Sequence, residues 1–271
     1  MGKRDIWREG WGDDVAHHNL RILKNKNDLV ITETVTKTVG AGKDFETLHE
    51  ALKWLETIRT IGPGYVYLSL DDGTHTLGGS GTFNEDEWSY YVLKGIQAGI
   101  GGASGDKTKV TITLDAYDDG DNWPSMFALY SCHMFIQDVT IDTALGGYPY
   151  AGNVDIIMAY TQSSVQCSRA DLKNGLESVI PYSGSIANYY QCVVDNFDSG
   201  LYTWGGRVKA TQTTISNCDT ALYVSTKEPS IITMDNCTLT ANTADSNVPL
   251  HEIQYSGSYI TNLTSALSFK A

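Results

Sequence analysis

"DLKNGLE" (Asp171–Glu177), "NFDSGLY" (Asn196–Tyr202) and "NCDTALY" (Asn217–Tyr223) are three versions of one short pattern. Set under one another from their first residues, they share Asp or Asn, a variable residue, Lys or Asp, then Asn, Ser or Thr, then Gly or Ala, then Leu. Their starts lie 25 and 21 residues apart, at positions 171, 196 and 217. That is the length of one supersecondary unit in a stacked array. The runs around them, "FIQDVTID", "VKATQTTI", "SIITMDN" and "SYITNL", mix β-branched and aromatic residues with partial alternation, and Gly, Asn and Asp close them as turns. No long amphipathic helix separates these runs, which excludes an alternating βαβ sheet, and the unequal unit lengths exclude a propeller. The fold class that remains is all-β, a right-handed parallel β-helix whose coils stack about 4.8 Å apart. In this register Leu176, Leu201 and Leu222 form an inward ladder. Asp171, Asn196 and Asn217 form a turn ladder whose side chains bridge neighbouring coils and satisfy turn backbone.

One helix is legible. "GKDFETLHEALKWLETI" (42–58) offers Asp44 as N-cap, Glu46 in the first turn, and Phe45, Leu48, Leu52 and Leu55 at spacings of three and four. An open β-helix end exposes core and strand edges, so an amphipathic helix over 44–60 is the expected lid. The organisation is then an N-terminal arm (1–35), an entry strand with capping helix (36–62), and a β-helix (63–271) ending in an oligomerisation segment near "YITNLTSALSF". The arm carries Trp7 and Trp11 in polar surroundings. It reads either as a dock for another protein or as a segment packed along its own β-helix.

Composition narrows the function. A net charge of −13 over 271 residues and a pI near 4.7 argue against nucleic acid or an anionic membrane as partner. The start "MGKRDIWREGWGDD" has no apolar run behind its basic residues, so no signal peptide is read there, and no segment suits membrane insertion. Gly2 is not a myristoylation site, because Ile6 stands where Ser or Thr is needed. The five cysteines, at 132, 167, 192, 218 and 237, follow small or amide residues. They are expected to be free thiols buried at equivalent points of successive repeats, since the count is odd and no zinc or redox spacing is present.

Other motifs carry less. "DAYDDGDNWP" places Asp115, Asp118, Asp119 and Asp121 in one loop, but not at EF-hand spacing, and it reads as solvated acid rather than a Ca²⁺ site. "GIQAGIGGASGD" (95–106) lacks the Lys-Ser/Thr ending of a phosphate loop and reads as a flexible excursion. His17 and His18 point to opposite faces of any strand and hold no metal. The sequons at Asn236 and Asn262 are idle without export. No cofactor or metal is expected.

The candidate functional residues are Asp198 and Asp219, 21 residues apart, with Tyr202, Trp204 and Tyr223 alternating near them. The acids read first as one turn position written twice, and second as a carboxylate pair on adjacent coils, the arrangement glycosidases use. Lys173 stands one repeat before Asp198 and is expected to favour its ionisation. Rings beside carboxylates are what a sugar needs, stacking for its CH groups and acceptors for its hydroxyls. Tyr202, Trp204 and Tyr223 are therefore the candidate glycan-binding residues.

The run "VGAGKDFETLHEAL", followed by "GYVYLSLDDGTHTL" and ladders of short strands, resembles the entry segment of pectin-lyase-like β-helix proteins. That superfamily includes pectin methylesterases and many bacteriophage tailspike and tail-fibre proteins. The likeness spans roughly 36–265 as a pattern. By resemblance to the methylesterase active-site coil, Asp198 is the general acid/base and Asp219 the nucleophile. The motif is incomplete: Phe197 stands where those enzymes carry a glutamine, Thr220 and Ala221 replace an aromatic and aliphatic run, and no Gly-Arg-Pro-Trp segment occurs. The pair thus lacks oxyanion donors. Resemblance to phage appendages implies a virion protein, made in host cytoplasm, that forms a homotrimer, joins other virion proteins through its arm, and contacts a host-surface polysaccharide. The alternatives are a polysaccharide-active enzyme and a purely structural capsid or tail decoration.

Overall fold

The computed structural model describes residues 29–78, 89–115, 124–144, 154–225 and 230–247, together with the strands Gln254–Ser256 and Tyr259–Ile260. All its strand ladders are parallel, and the chain visits three sheets in turn, once per coil. The first sheet has nine strands, from Thr34–Val39 and Tyr65–Leu70 to Ile231–Asp235 and Gln254–Ser256. The second runs from Gly73–Gly78 through Asp171–Glu177 and Val193–Thr203 to Thr238–Thr240 and Tyr259–Ile260. The third holds Ser89–Lys94, Ser125–Tyr130, Asp155–Tyr160 and Val179–Pro181, and is continued by the ends of Val193–Thr203 and Thr220–Val224. This is the parallel β-helix the repeats imply.

Alternation within each strand decides what fills the coil. Val66, Leu68 and Leu70 point inward from Tyr65–Leu70 and are fully buried. Directly over Leu68 stack Ile100, Ile136, Cys167, Tyr189, Ala210 and Met234, one per coil. Each large aliphatic member contributes about 1.5–3 kcal/mol by leaving water. The predicted leucine ladder holds only in part. Leu201 pairs with Leu222 and both are fully buried, but the residue beneath Leu201 is Val179, because Glu177 pairs with Ser199. Leu176 belongs to another row and is only half-buried.

The same three-residue correction applies to the turn ladder. Gly175 pairs with Phe197, so Asn196 stacks on Asn174 and not on Asp171. Asn174, Asn196 and Asn217 adopt φ of 61°, 60° and 53°, the left-handed conformation in which Asn is tolerated better than most L-residues. Asn196 Nδ2 donates to Asn174 Oδ1 at 2.6 Å, and Asn174 Nδ2 to Asp142 Oδ1 at 2.6 Å. A second left-handed column turns the chain from the first sheet into the second: Asp138, Arg169, Gln191, Gln212 and Asn236, with φ between 49° and 54°. Along it Arg169 clasps Asp138 through Nε and Nη2 at 2.6 and 2.7 Å, and Gln191 Nε2 donates to Gln212 Oε1 at 3.0 Å. Corners thus repeat one backbone conformation while their side chains bond along the axis.

Four cysteines are explained by these corners. Cys132, Cys192, Cys218 and Cys237 each follow a left-handed residue, namely Ser131, Gln191, Asn217 and Asn236, and turn their side chains inward, where all are buried. Cys167 instead lies within a strand. They share a local role, with Cys192 and Cys237 at one corner and Cys218 at another, so they do not form the single equivalent set the repeats suggested.

The helix is shorter than expected, Leu48–Glu56, because Thr47 rather than Asp44 caps it. Thr47 Oγ1 accepts from the Glu50 amide at 3.2 Å while the Glu50 carboxylate accepts from the Thr47 amide at 3.3 Å, a reciprocal box. Asp44 is drawn back to Lys37 and Thr38, and Ile58–Thr60 is already a strand, paired with Leu29–Ile31. Leu48, Ala51, Leu52 and Leu55 close the core from below as a lid. Within the segment assigned above to the arm, Leu29–Ile31 forms a two-stranded sheet with Ile58–Thr60, and Thr34 and Val35 begin the nine-stranded sheet; Trp7, Trp11, His17 and His18 lie outside the described residues. The glycine-rich 95–106 segment is also ordered: Gln97–Gly102 is a strand of the first sheet. Its glycines make room for tyrosines, since a Cβ on Gly99 or Gly101 would sit 2.0 Å from the hydroxyl of Tyr65 or Tyr67.

Candidate functional site

Asp198 and Asp219 do fall in one column on adjacent coils, as their spacing implies: Phe197 O accepts from the Asp219 amide at 3.0 Å, and Ser199 pairs with Thr220. Both are exposed. The residue beneath Asp198 is Leu176, not Lys173, which pairs with Asp142 and Asp195 and lies 3.9 Å from Asp171. With no cation below it, Asp198 is not favoured in its charged form; burial and the neighbouring Asp219 charge raise its carboxyl above the ordinary range. Phe197, in the place of the methylesterase glutamine, faces the core and is 3% exposed.

Two further acids join this corner that the sequence reading missed. Asp155 and Glu177 occupy consecutive positions of the neighbouring column, since Ile157 pairs with Val179. Below them in that column Ser89 and Ser125 share a hydrogen bond of 2.6 Å. The Glu177 amide donates to Asp155 Oδ1 at 3.2 Å. Asp155 is 2% exposed; burial first, then the Glu177 carboxylate, push it well above the ordinary carboxylate range. Glu177 is raised by burial and by the charge of Asp198, while its contact with the Asp155 side chain pulls the other way. Neighbouring buried carboxyls disfavour double ionisation, and deeper burial makes Asp155 the one held towards its neutral form. Oε2 of Glu177 is buried and receives no N–H or O–H from other described residues. No motif marks this pair, because each acid stands alone in an apolar run and only the coil register brings them together.

Rings line the same side. Tyr130, Tyr160, Tyr182 and Trp204 are registered one above another, with centroid separations of 5.0, 4.5 and 6.3 Å. Lys94 caps the lower end, its Nζ 5.2 Å from the Tyr130 ring. Beside the upper end, Tyr202 lies 6.4 Å from Trp204 and stacks on Tyr223 at 4.8 Å with the planes 4° apart. The three glycan candidates therefore come together, but not as equals. Tyr202 is 9% exposed and is packed by the other two, which are half-buried at the rim. Burial, followed by the Glu177 charge, raises the Tyr202 hydroxyl, and burial does the same for Tyr182 with Asp155 as a smaller contributor. Acids and rings thus share one electrostatic environment.

Among the described residues no group of His, Cys, Asp or Glu has the arrangement of a metal site. Asp115 ends the strand Val110–Asp115, and Asp118, Asp119 and Asp121 lie outside the described residues.

No protein-family model matches the sequence, and no curated protein does. Among solved structures, the chain is similar to the pectin methylesterase from Aspergillus niger in its deglycosylated form. The TM-score is 0.50 at 12% identity, over 84% of this chain and 78% of that one. At that identity the likeness is one of fold, a parallel β-helix.

Proposed function

We propose that this protein is a carbohydrate-binding β-helix of the kind bacteriophages mount as tail fibres or tailspikes. It assembles as a homotrimer on the virion, joins other virion proteins through its N-terminal arm, and meets host-surface polysaccharide at the corner bearing Asp198, Asp219, Trp204 and Tyr223. The observation that supports binding is that these acids and half-buried rings lie along the same pair of adjacent strands, Asp198 four positions before Tyr202 and Asp219 four before Tyr223. The rim offers stacking surface and hydroxyl acceptors together, the combination a sugar requires. The test is retention of purified protein on cells of a susceptible host and on polysaccharide extracted from them. Retention that survives Trp204→Ala together with Tyr223→Ala places the ligand elsewhere, and no retention on any host cell removes the reading.

A second reading is favoured by the Asp155–Glu177 pair: a polysaccharide-active enzyme. A carboxyl held protonated beside others that ionise supplies acid and base at one place, which glycoside or ester cleavage needs. Release of reducing ends or of ester-derived acid from the polysaccharide, abolished by Glu177→Gln with binding intact, selects the enzyme. Binding without any release selects the appendage that only adheres.

A further inference from the structure

Two faces of this chain carry opposite charge that is not ion-paired among the described residues. Along the outer side of the first sheet, Ile186, Arg207 and Ile231 are registered in one row. Lys209 lies two residues beyond Arg207 on the same side, with Tyr190 on the row past it. Ile186, Tyr190 and Ile231 are 37%, 42% and 38% exposed, the large apolar side chains that the middle coils leave to solvent among the described residues. Arg207 and Lys209 are exposed too, and none of the ion pairs among the described residues includes either. On a chain of net charge −13, Arg207 and Lys209 framed by isoleucine and tyrosine, with Asp235 the one acid registered on the Tyr190 row among the described residues, make a patch with the composition of an interface core, where Arg and aromatics concentrate.

The complementary surface is on another side of the same molecule. Asp198 and Asp219 are exposed on adjacent coils, the Asp219 charge bears on Asp198, and neither acid is in an ion pair among the described residues. Val193, Asp195 and Thr214 extend that side along the second sheet.

We propose that copies of this chain associate head to tail, the first-sheet face around Arg207 and Lys209 of one copy seating against the Asp198–Asp219 corner of the next. This rests on the homo-oligomeric assembly proposed above and assigns its contact. A self-paired contact would set the cations of one copy against those of its mate, so the heterologous arrangement is the one charge permits, and such contacts close into rings when the rotation allows. The acids are then shared between the seam and the sugar, and Trp204 and Tyr223 stand at the edge of the contact as its stacking surface.

The test is charge reversal, read by light scattering and sedimentation of the full chain, with circular dichroism confirming the fold. Arg207→Glu with Lys209→Glu, and separately Asp198→Lys with Asp219→Lys, should each weaken association at least 100-fold. The variant carrying all four reversals should assemble again, because complementarity is restored with the signs exchanged. Where a double reversal fails to fold, Arg207→Gln and Asp198→Asn serve in its place and should each weaken association about tenfold. An assembled parent whose double variants are also assembled places the interface elsewhere and overturns this contact alone, as does a fourfold variant that remains monomeric. A parent that is monomeric at 100-fold dilution above and below about 10 μM overturns the contact and the assembly together.

Discussion

Asp155 and Glu177 stand one coil apart in a single column, the Glu177 amide donating to Asp155 Oδ1 at 3.2 Å, and burial with the neighbouring carboxylate raises the affinity of Asp155 for a proton. The folded-state affinity of Asp155 for that proton is raised, so its contribution to stability is fullest at low pH, below the unfolded carboxylate value. It declines as pH climbs from there towards the raised folded value. Each tenfold loss of acidity corresponds to about 1.4 kcal/mol. Asp155→Asn keeps the acceptor oxygen and supplies a permanent N–H for Glu177. The expected result is a higher melting temperature than the parent at pH 8, and a stability profile flatter between pH 4 and pH 8. A variant less stable than the parent at pH 8 would show that Asp155 is ionised there and satisfied.

The stacked asparagines make a second test. Asn196 holds φ of 60° and donates to Asn174 at 2.6 Å. Asn196→Ala loses the bond and places an ordinary Cβ in the left-handed region, at a combined cost of about 1–3 kcal/mol. Asn196→Gly loses the bond but relieves the backbone, and should cost visibly less. Urea denaturation of both variants measures the difference; equal losses would show that the bond alone matters.

How this ladder appears in sequence explains what can be read there. Periodicity announces that coils exist, and the inward alternation of a strand such as Tyr65–Leu70 is unmistakable. Register is harder. "DLKNGLE" and "NFDSGLY" match when aligned from their first residues, yet the structure slides one by three, because Asn174 and not Asp171 occupies the corner. Either residue suits a turn, so composition does not distinguish them; only the pairing of whole strands does. The site inherits this limit. Asp198 and Asp219 are visible because both fall in recognisable repeats, whereas Asp155 and Glu177 are separated by one coil whose length nothing local reveals.

Close packing gives a third prediction. A Cβ on Gly175 would lie 2.7 Å from the Val154 carbonyl oxygen and 2.6 Å from Phe197 Cε1. Backbone cannot swing aside as a side-chain tip can, so Gly175→Ala should destabilise by about 1–3 kcal/mol. Pairing it with Phe197→Leu should recover part of that loss in a double-mutant cycle. Full additivity would mean that the Val154 carbonyl is the sole obstacle.

The thiols supply a fourth. All five cysteines are free and buried, and burial raises each of them, Cys218 to about 11 and Cys167 well above its usual value. A thiol reagent at pH 8 should therefore react with almost none in the native protein and with all five once it is denatured without reductant. Rapid labelling of Cys237 alone would point to fraying of the upper coils, since that residue sits on the turn between Ile231–Asp235 and Thr238–Thr240.

The rings beside the acids separate packing from recognition. Tyr202 is 9% exposed and stacks on Tyr223 at 4.8 Å, with Trp204 at 6.4 Å on its other flank. Removing it opens a void between two partners, so Tyr202→Ala should lower stability by about 3–5 kcal/mol, as large buried aromatics do. Trp204 is half-buried at the rim, and its truncation should cost stability less than half as much. If the corner binds sugar through its rim, Trp204→Ala should weaken retention on host polysaccharide at least tenfold, with the fold intact. Tyr202→Phe keeps the stack and loses only the hydroxyl, and should bind within about twofold of the parent. The informative comparison is Trp204→Ala against Tyr202→Phe on one polysaccharide preparation. A larger binding defect in the second would move recognition inward, to the Tyr202 hydroxyl that the Glu177 charge acts on.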